Sequence, residues 1–401
     1  MERAPSPRYE ELSAEKKERR AELLEAVRKE PPSSALLSYF ERLRKRPKNR
    51  SKEACKEAFK EGMLTFANIC GSERAKYFPN PIKGIHSQAS FTKTWNSTYP
   101  QHSITMFDLD IRRQCPSSWS SELRDITSTC AWVLTYEGAG PFSQGLNELL
   151  AEITTADCGM AVPLSFVFAK RYMLGDELFD VLFPLIKGQF TVTQDWDEAM
   201  NKEGTRGNIF YPFYDSPAFA KVAGTCSRIQ TRSVWNHPTF PKKHPGSTAS
   251  LYNCTQIDGE NILFGPDATP NILSDAKLDE TLMGAYNAPR DWADLETLRL
   301  WTSLPNHVHP SFAPKNFATL VEEADQYENH LLDETAWRDS QEERGERERC
   351  LIFNFSRLTE CLQEAQSAHE NGVTVIDVFA KAQELRIRDY KKLLASFANR
   401  S

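Results

Sequence analysis

Long apolar runs are missing from this sequence. No stretch approaches the roughly 18–20 uninterrupted apolar residues that a membrane-spanning helix needs, so no transmembrane segment is expected. No secretory leader is expected either: Met1-Glu2-Arg3-Ala4 runs on into charged sequence, without the apolar stretch of a signal peptide. The nine cysteines are odd in number and scattered, lacking the paired spacings of a disulfide framework or a zinc site. A chain of 401 residues can bury a core large enough to need no staples, which predicts free thiols in a reducing compartment, the cytoplasm or the nucleus. There is no internal repeat at periods of roughly 20–50 residues, which excludes solenoids and propellers. Dinucleotide and P-loop fingerprints are absent as well. The nearest string, Gly138-Ala139-Gly140-Pro141-Phe142-Ser143-Gln144-Gly145, misses both spacings and reads as a loop leading into a helix. His307-Val308-His309 lacks a third ligand nearby in sequence. No cofactor and no metal are therefore expected.

What is present is ordinary globular composition, 40% hydrophobic and 26% charged, which excludes a wholly disordered chain. The length implies two or three structural units. Charge is uneven: seventeen Lys and Arg against eleven Asp and Glu give residues 1–60 a net of +6, against −12 over the remainder. The densest part, Arg42-Leu43-Arg44-Lys45-Arg46-Pro47-Lys48-Asn49-Arg50, matches a nuclear-import pattern and would suit an acidic partner. No aromatics interleave for base stacking, and Glu alternates with Lys on both sides, as on a solvated helix surface.

Residues 1–75 read as a basic helical arm. Leu36, Leu37, Phe40 and Leu43 share one helical face, and Ser51 caps a second helix carrying Cys55, Ala58, Phe59 and Phe66. From about residue 76 to 310 the texture is α+β. Strands are expected at Ser103–Leu109, Ala131–Tyr136, Gln189–Thr193, Ser250–Cys254 and Asn261–Phe264, with a buried apolar helix over Val162–Leu185. Residues 311–401 read as helical again, with a stop at Asn371-Gly372 and a capping-box-like start at Thr374 and Asp377. The predicted fold is α+β, a central mixed or antiparallel sheet with a buried helix, flanked by N- and C-terminal helical regions.

Asp157-Cys158-Gly159-Met160 leads straight into the apolar helix. A helix N-terminus favours thiolate through its unpaired N–H groups, and the same groups can stabilise an oxyanion. Downstream, His244 precedes an expected hairpin, Ser250–Cys254 and Asn261–Phe264 about a turn at Asp258-Gly259, and the second strand leads to Asp267. An imidazole beside a thiol, its tautomer held by a carboxylate, is the arrangement of nucleophilic acyl transfer. A buried core thiol and a loop histidine account for the same residues equally well.

Over residues 140–270 these motifs resemble the papain-like and transglutaminase-like superfamily, whose order is Cys at a helix start, then His, then Asp or Asn on adjacent strands. The resemblance implies Cys158 as nucleophile, His244 as base and Asp267 as orienting group, in a thiol-dependent hydrolase or acyltransferase acting on a protein or peptide substrate. The sequence departs from that pattern in having no tryptophan beside Cys158 and Glu152 where papain-like peptidases carry an oxyanion glutamine. Asp-Cys-Gly-Met also resembles the nucleophile motif of ubiquitin-like-protein peptidases, which would nominate His102 with Asp108, Asp110 or Asp125. Ile104-Thr105-Met106-Phe107-Asp108-Leu109-Asp110 resembles the first motif of haloacid-dehalogenase phosphatases, with Lys170, Asp176 and Asp180 further along. Ile111-Arg112 stands there in place of Gly-Thr, and the interval to Asp176 is short for that fold. A different class stays open: a non-enzymatic interaction protein that engages an acidic partner through its basic arm.

Overall fold

The computed structural model describes residues 34–43, 51–72, 115–126, 129–152, 158–183, 191–193, 213–215, 229–247, 249–264, 272–303, 317–372 and 378–398, with Glu25, Thr154 and Ala220. The fold is α+β with antiparallel sheets, as the sequence predicts. Strands β1 (Trp119–Ile126), β2 (Thr129–Tyr136) and β3 (Thr191–Thr193) form a three-stranded sheet in that order. Strands β4 (Tyr214–Asp215), β5 (Ile229–Trp235), β6 (Leu251–Ile257), β7 (Glu260–Leu263), β8 (Ile272–Ser274) and β9 (Arg349–Phe353) form a six-stranded sheet ordered β4-β9-β5-β6-β7-β8.

The β6–β7 hairpin shows why the sequence bends where it does. Asp258 and Gly259 both take positive φ, 53° and 90°, as a two-residue turn matched to strand twist requires. That turn sets Ile257 opposite Glu260. Since strand side chains alternate, β6 sends Thr255 and Ile257 to one face and Cys254 and Gln256 to the other.

The first face is covered by α1 (Ser34–Leu43), α2 (Lys52–Ser72), α3 (Phe142–Ala151), α4 (Cys158–Leu174) and α5 (Asp176–Leu182), which share one core with Ile229, Ile257 and Ile262. Helix α4 is apolar on nearly every side and accordingly buried. Helix α2 crosses it at Gly62, where a Cβ would stand 2.9 Å from the Ala169 Cα. The expected helix over Val162–Leu185 begins earlier, at Cys158. It stops at Gly175, whose φ of 74° leaves the helical region before Asp176 and Glu177 open α5.

The second face carries a smaller core. The short helix α6 (Phe240–Lys243), α7 (Asp275–Asn287) and α10 (Glu334–Asp339) contribute Phe240, Leu278, Leu282, Tyr286 and Trp337 against Cys254 and Leu263. Helices α8 (Trp292–Ser303), α9 (Phe317–Tyr327) and α11 (Gln341–Arg347) surround it, and α12 (Phe355–Glu370) and α13 (Val378–Ala398) close the chain.

The region 311–401, expected to be helical, also contributes a strand: β9 lies between β4 and β5. The N-terminal helices and the C-terminal segment join the larger core as well. Phe59 stacks on Phe353 at 5.5 Å and Phe166 meets Phe353 at 4.8 Å, so side chains from all three expected regions touch. The expected strand Ser103–Leu109 and the cap at Thr374 and Asp377 lie outside the described residues. Among the described residues, no helix is long and apolar enough to cross a membrane.

Candidate functional site

Helix α4 starts at Cys158, so the nominated thiol residue does open a helix; its side chain lies outside the described residues, as does Asp267. His244 follows α6 and is 4% exposed. Its Nδ1 lies 2.9 Å from Asp294 Oδ2 and its Nε2 lies 2.9 Å from the Tyr286 carbonyl oxygen. The ring packs on Phe240 at 5.0 Å, within the second-face core, whereas α4 belongs to the first. Carboxylate and carbonyl are both acceptors, so each ring nitrogen faces a partner within this core.

Asp294 is held equally firmly. The backbone N–H of Gly246 donates to its Oδ1 at 2.7 Å, and that of Asp291 to its Oδ2 at 3.2 Å. Asp291 Oδ1 accepts from Asp294 N–H in return, a reciprocal cap at the start of α8. Sequence reasoning missed Asp294. The Asp-x-x-Asp spacing signals the cap, but nothing in the chain marks a histidine partner fifty residues away.

Tyr286 is the hub of a wider polar cluster. Its hydroxyl lies 2.8 Å from Thr239 Oγ1 and 2.9 Å from His330 Nδ1, and Thr239 Oγ1 reaches His237 Nδ1 at 2.8 Å. Thr239 N–H also donates to His237 Nδ1 at 3.2 Å, so that nitrogen is an acceptor and the neutral ring keeps its proton on Nε2. Burial lowers the His237 pKa, with Glu343 opposing. Lys243 Nζ lies 5.0 Å from the Tyr286 ring centroid and donates to the His330 carbonyl at 2.5 Å; burial lowers its pKa as well.

Beside this cluster, a pocket of about 390 Å³ opens between β5, α7 and α11. Its charged lining is Arg232, Arg344, Asp275, Asp279 and Glu348, over an apolar floor that includes Leu278 and Leu282. Arg232 Nε donates to Glu348 Oε1 at 2.5 Å, and its Nη1 pairs with Asp275. Arg344 Nη1 donates to Asp279 Oδ1 at 2.9 Å while Trp337 Nε1 donates to Oδ2 at 2.9 Å. Burial raises the Asp275 pKa, but hydrogen bonds from Asn261, Arg232 and Gln256 outweigh it and hold the carboxyl below its ordinary value. Arg347 lies 4.3 Å over the Trp235 ring at the edge.

The remaining nominations are placed as follows. Lys170 is fully buried, and its Nζ stands 4.7 Å from the Phe213 ring centroid. Asp176 accepts from Arg171 Nε at 2.6 Å, and Asp180 accepts from Ser143 N–H at 2.8 Å at the start of α3. His102, Asp108 and Asp110 lie outside the described residues, while Asp125 is on β1. Six described cysteines are free. Burial pushes the thiols of Cys115 and Cys350 up to about 11 and Cys361 to about 12, and raises Cys70 further, so these four are poor nucleophiles. Among the described residues, no group of three or more His, Cys, Asp or Glu could hold a metal ion. Comparison of the chain with protein-family models, curated proteins and solved structures finds no match.

Proposed function

We propose that the protein is a non-enzymatic interaction protein that engages an acidic partner through its basic N-terminal segment, in the cytoplasm or nucleus. The observation that carries this reading is the state of His244. With Asp294 on one ring nitrogen and the Tyr286 carbonyl on the other, the imidazole has the surroundings of a structural tie within a core, which supports this reading over the thiol enzyme. The net charge of +6 in residues 1–60 against −12 beyond supplies the means of association. Retention of the full chain on an immobilised poly-glutamate matrix tests it. We expect elution at clearly lower salt after Arg44, Lys45, Arg46 and Lys48 are replaced by Glu. Unchanged retention would overturn the reading.

One observation favours a second reading, a thiol-dependent hydrolase or acyltransferase acting on a protein or peptide: α4 begins at Cys158, where helix N–H groups favour a thiolate. Alkylation by iodoacetamide, read residue by residue, separates the two. The interaction reading expects Cys158 to react no faster than the half-buried thiols of Cys55, Cys115 and Cys350. Selective labelling of Cys158, lost in a His244→Ala variant that still folds, would establish the enzyme instead.

A further inference from the structure

The pocket between β5, α7 and α11 holds charged groups whose hydrogen-bonding capacity the protein uses only in part. Arg344 is 6% exposed, yet it spends Nε on Ser340 Oγ at 3.1 Å and Nη1 on Asp279, leaving Nη2 without a protein partner. Arg232 likewise uses Nε on Glu348 and Nη1 on Asp275 and Asn261, and its Nη2 is also without one. Neither Nη2 is among the sealed, unpartnered side-chain atoms of the described residues, so both face accessible space. Acceptors are left over too. Glu348 uses only Oε1, and each oxygen of Asp279 takes a single donor.

Charge decides what could enter. Three carboxylates and two guanidiniums line the pocket, a net of −1, and Arg347 at its edge brings the total to zero. A ligand of a single sign would leave one charge uncompensated beside the largely buried side chains of Arg232 and Arg344, which is unfavourable. A ligand carrying both signs leaves the balance intact while satisfying both sets of unused groups. Below these groups the floor is aliphatic, with Leu278 and Leu282 from α7 and Val234 from β5. The volume of about 390 Å³ lies in the range of small-molecule sites.

We propose that this pocket binds a free α-amino acid with an apolar side chain. Its carboxylate accepts from Nη2 of Arg232 and Arg344, a charge-assisted contact suited to guanidinium geometry. Its ammonium donates to Glu348 Oε2 and Asp279, and its side chain lies on Leu278 and Leu282. This inference is independent of what the N-terminal segment or Cys158 does.

Isothermal titration of the full chain with alanine, leucine and phenylalanine tests it, alongside N-acetylleucine, leucinamide and inorganic phosphate. At least one of the three amino acids should bind, and when leucine does, blocking either of its charges should weaken it at least tenfold. Phosphate should bind no better than the blocked compounds. Gly345 gives a blocking variant that spares the fold, because a Cβ there meets nothing within 4 Å and the residue lines the pocket. Gly345→Phe should keep the wild-type circular dichroism and lose binding. Glu348→Gln should weaken the amino acid while leaving N-acetylleucine unchanged. The proposal falls if none of the three amino acids binds, if N-acetylleucine or phosphate binds as tightly as leucine, or if a folded Gly345→Phe binds normally.

Discussion

Lys170 sits within α4 without solvent contact, its Nζ 4.7 Å from the Phe213 ring centroid and 5.8 Å from that of Phe183. Burial brings its pKa down to about 7, with Cys361 opposing in part. In the unfolded chain a lysine titrates near about 10.4. Between those values the unfolded state binds more protons than the folded one, so the lysine makes stability rise with pH across that window. Below about pH 7 both states are charged and the full cost of burial is present. The stability difference between wild type and Lys170→Met should therefore move in favour of wild type by up to ~1.4 kcal/mol per pH unit as pH rises from about 7 to about 10. Urea unfolding of both proteins across that range checks it; a margin independent of pH would mean that Lys170 stays charged. Two glycines give a sharper residue-scale contrast. An added Cβ at Gly284 on α7 meets nothing within 4 Å, so Gly284→Ala should stabilise by ~0.5–1 kcal/mol, through the backbone freedom it removes from the unfolded chain. At Gly145 the same Cβ would fall on the Tyr136 ring, and Gly145→Ala should cost ~1–3 kcal/mol in thermal unfolding.

At the scale of elements, Asp215 on β4 ties the sheet to the last two helices. Its Oδ1 accepts from Arg357 Nη1 of α12 at 3.2 Å with both side chains buried, Asn354 Nδ2 donates to its Oδ2 at 3.1 Å, and Arg357 Nη2 reaches Asp389 of α13 at 3.2 Å. Removing Asp215 takes a buried carboxylate partner from the Arg357 guanidinium, which keeps Asp389. Asp215→Ala should cost ~3–5 kcal/mol, and Asp215→Leu combined with Arg357→Met much less; chemical denaturation of the two variants would show whether the penalty comes from taking Asp215 away from the buried guanidinium. Elements of this kind were unevenly legible. β2, β6 and β7 could be read because apolar side chains and the Asp258-Gly259 turn mark them. β5 could not, since its inward positions include Thr231 and Ser233, buried polar residues that break the apolar alternation. β9 follows the charged run of α11, and its partners lie more than a hundred residues away. The buried helix behind Cys158 was legible from its apolar run, but that run places its start at Val162, four residues late. The tie between His244 and Asp294 was not legible, because a hydrogen bond formed by tertiary packing leaves no periodic trace.

Across the whole molecule, the sequence's three-part texture conceals a shared core. The basic segment, the α+β middle and the C-terminal stretch differ in composition, which suggested boundaries near residues 75 and 310. Yet Phe59, Phe166 and Phe353, one from each, pack within 6 Å of one another around the larger core. β9 makes the dependence stronger than packing alone. It hydrogen-bonds β5 on one side and β4 on the other, so removing it would leave unpaired N–H and C=O groups along β5 where a buried ladder had been. It would also withdraw Phe353 and Phe355 from the core beneath α2 and α4. A fragment of residues 76–310 should therefore lack a cooperative urea transition, lose its near-ultraviolet aromatic dichroism and associate through the open β5 edge. Adding residues 311–401 back as a separate chain should restore part of that signal, since β9 has a strand-shaped gap to fill. A 76–310 fragment that unfolds sharply as a monomer would instead mean that the middle region folds without β9, and that the C-terminal segment docks onto a finished domain.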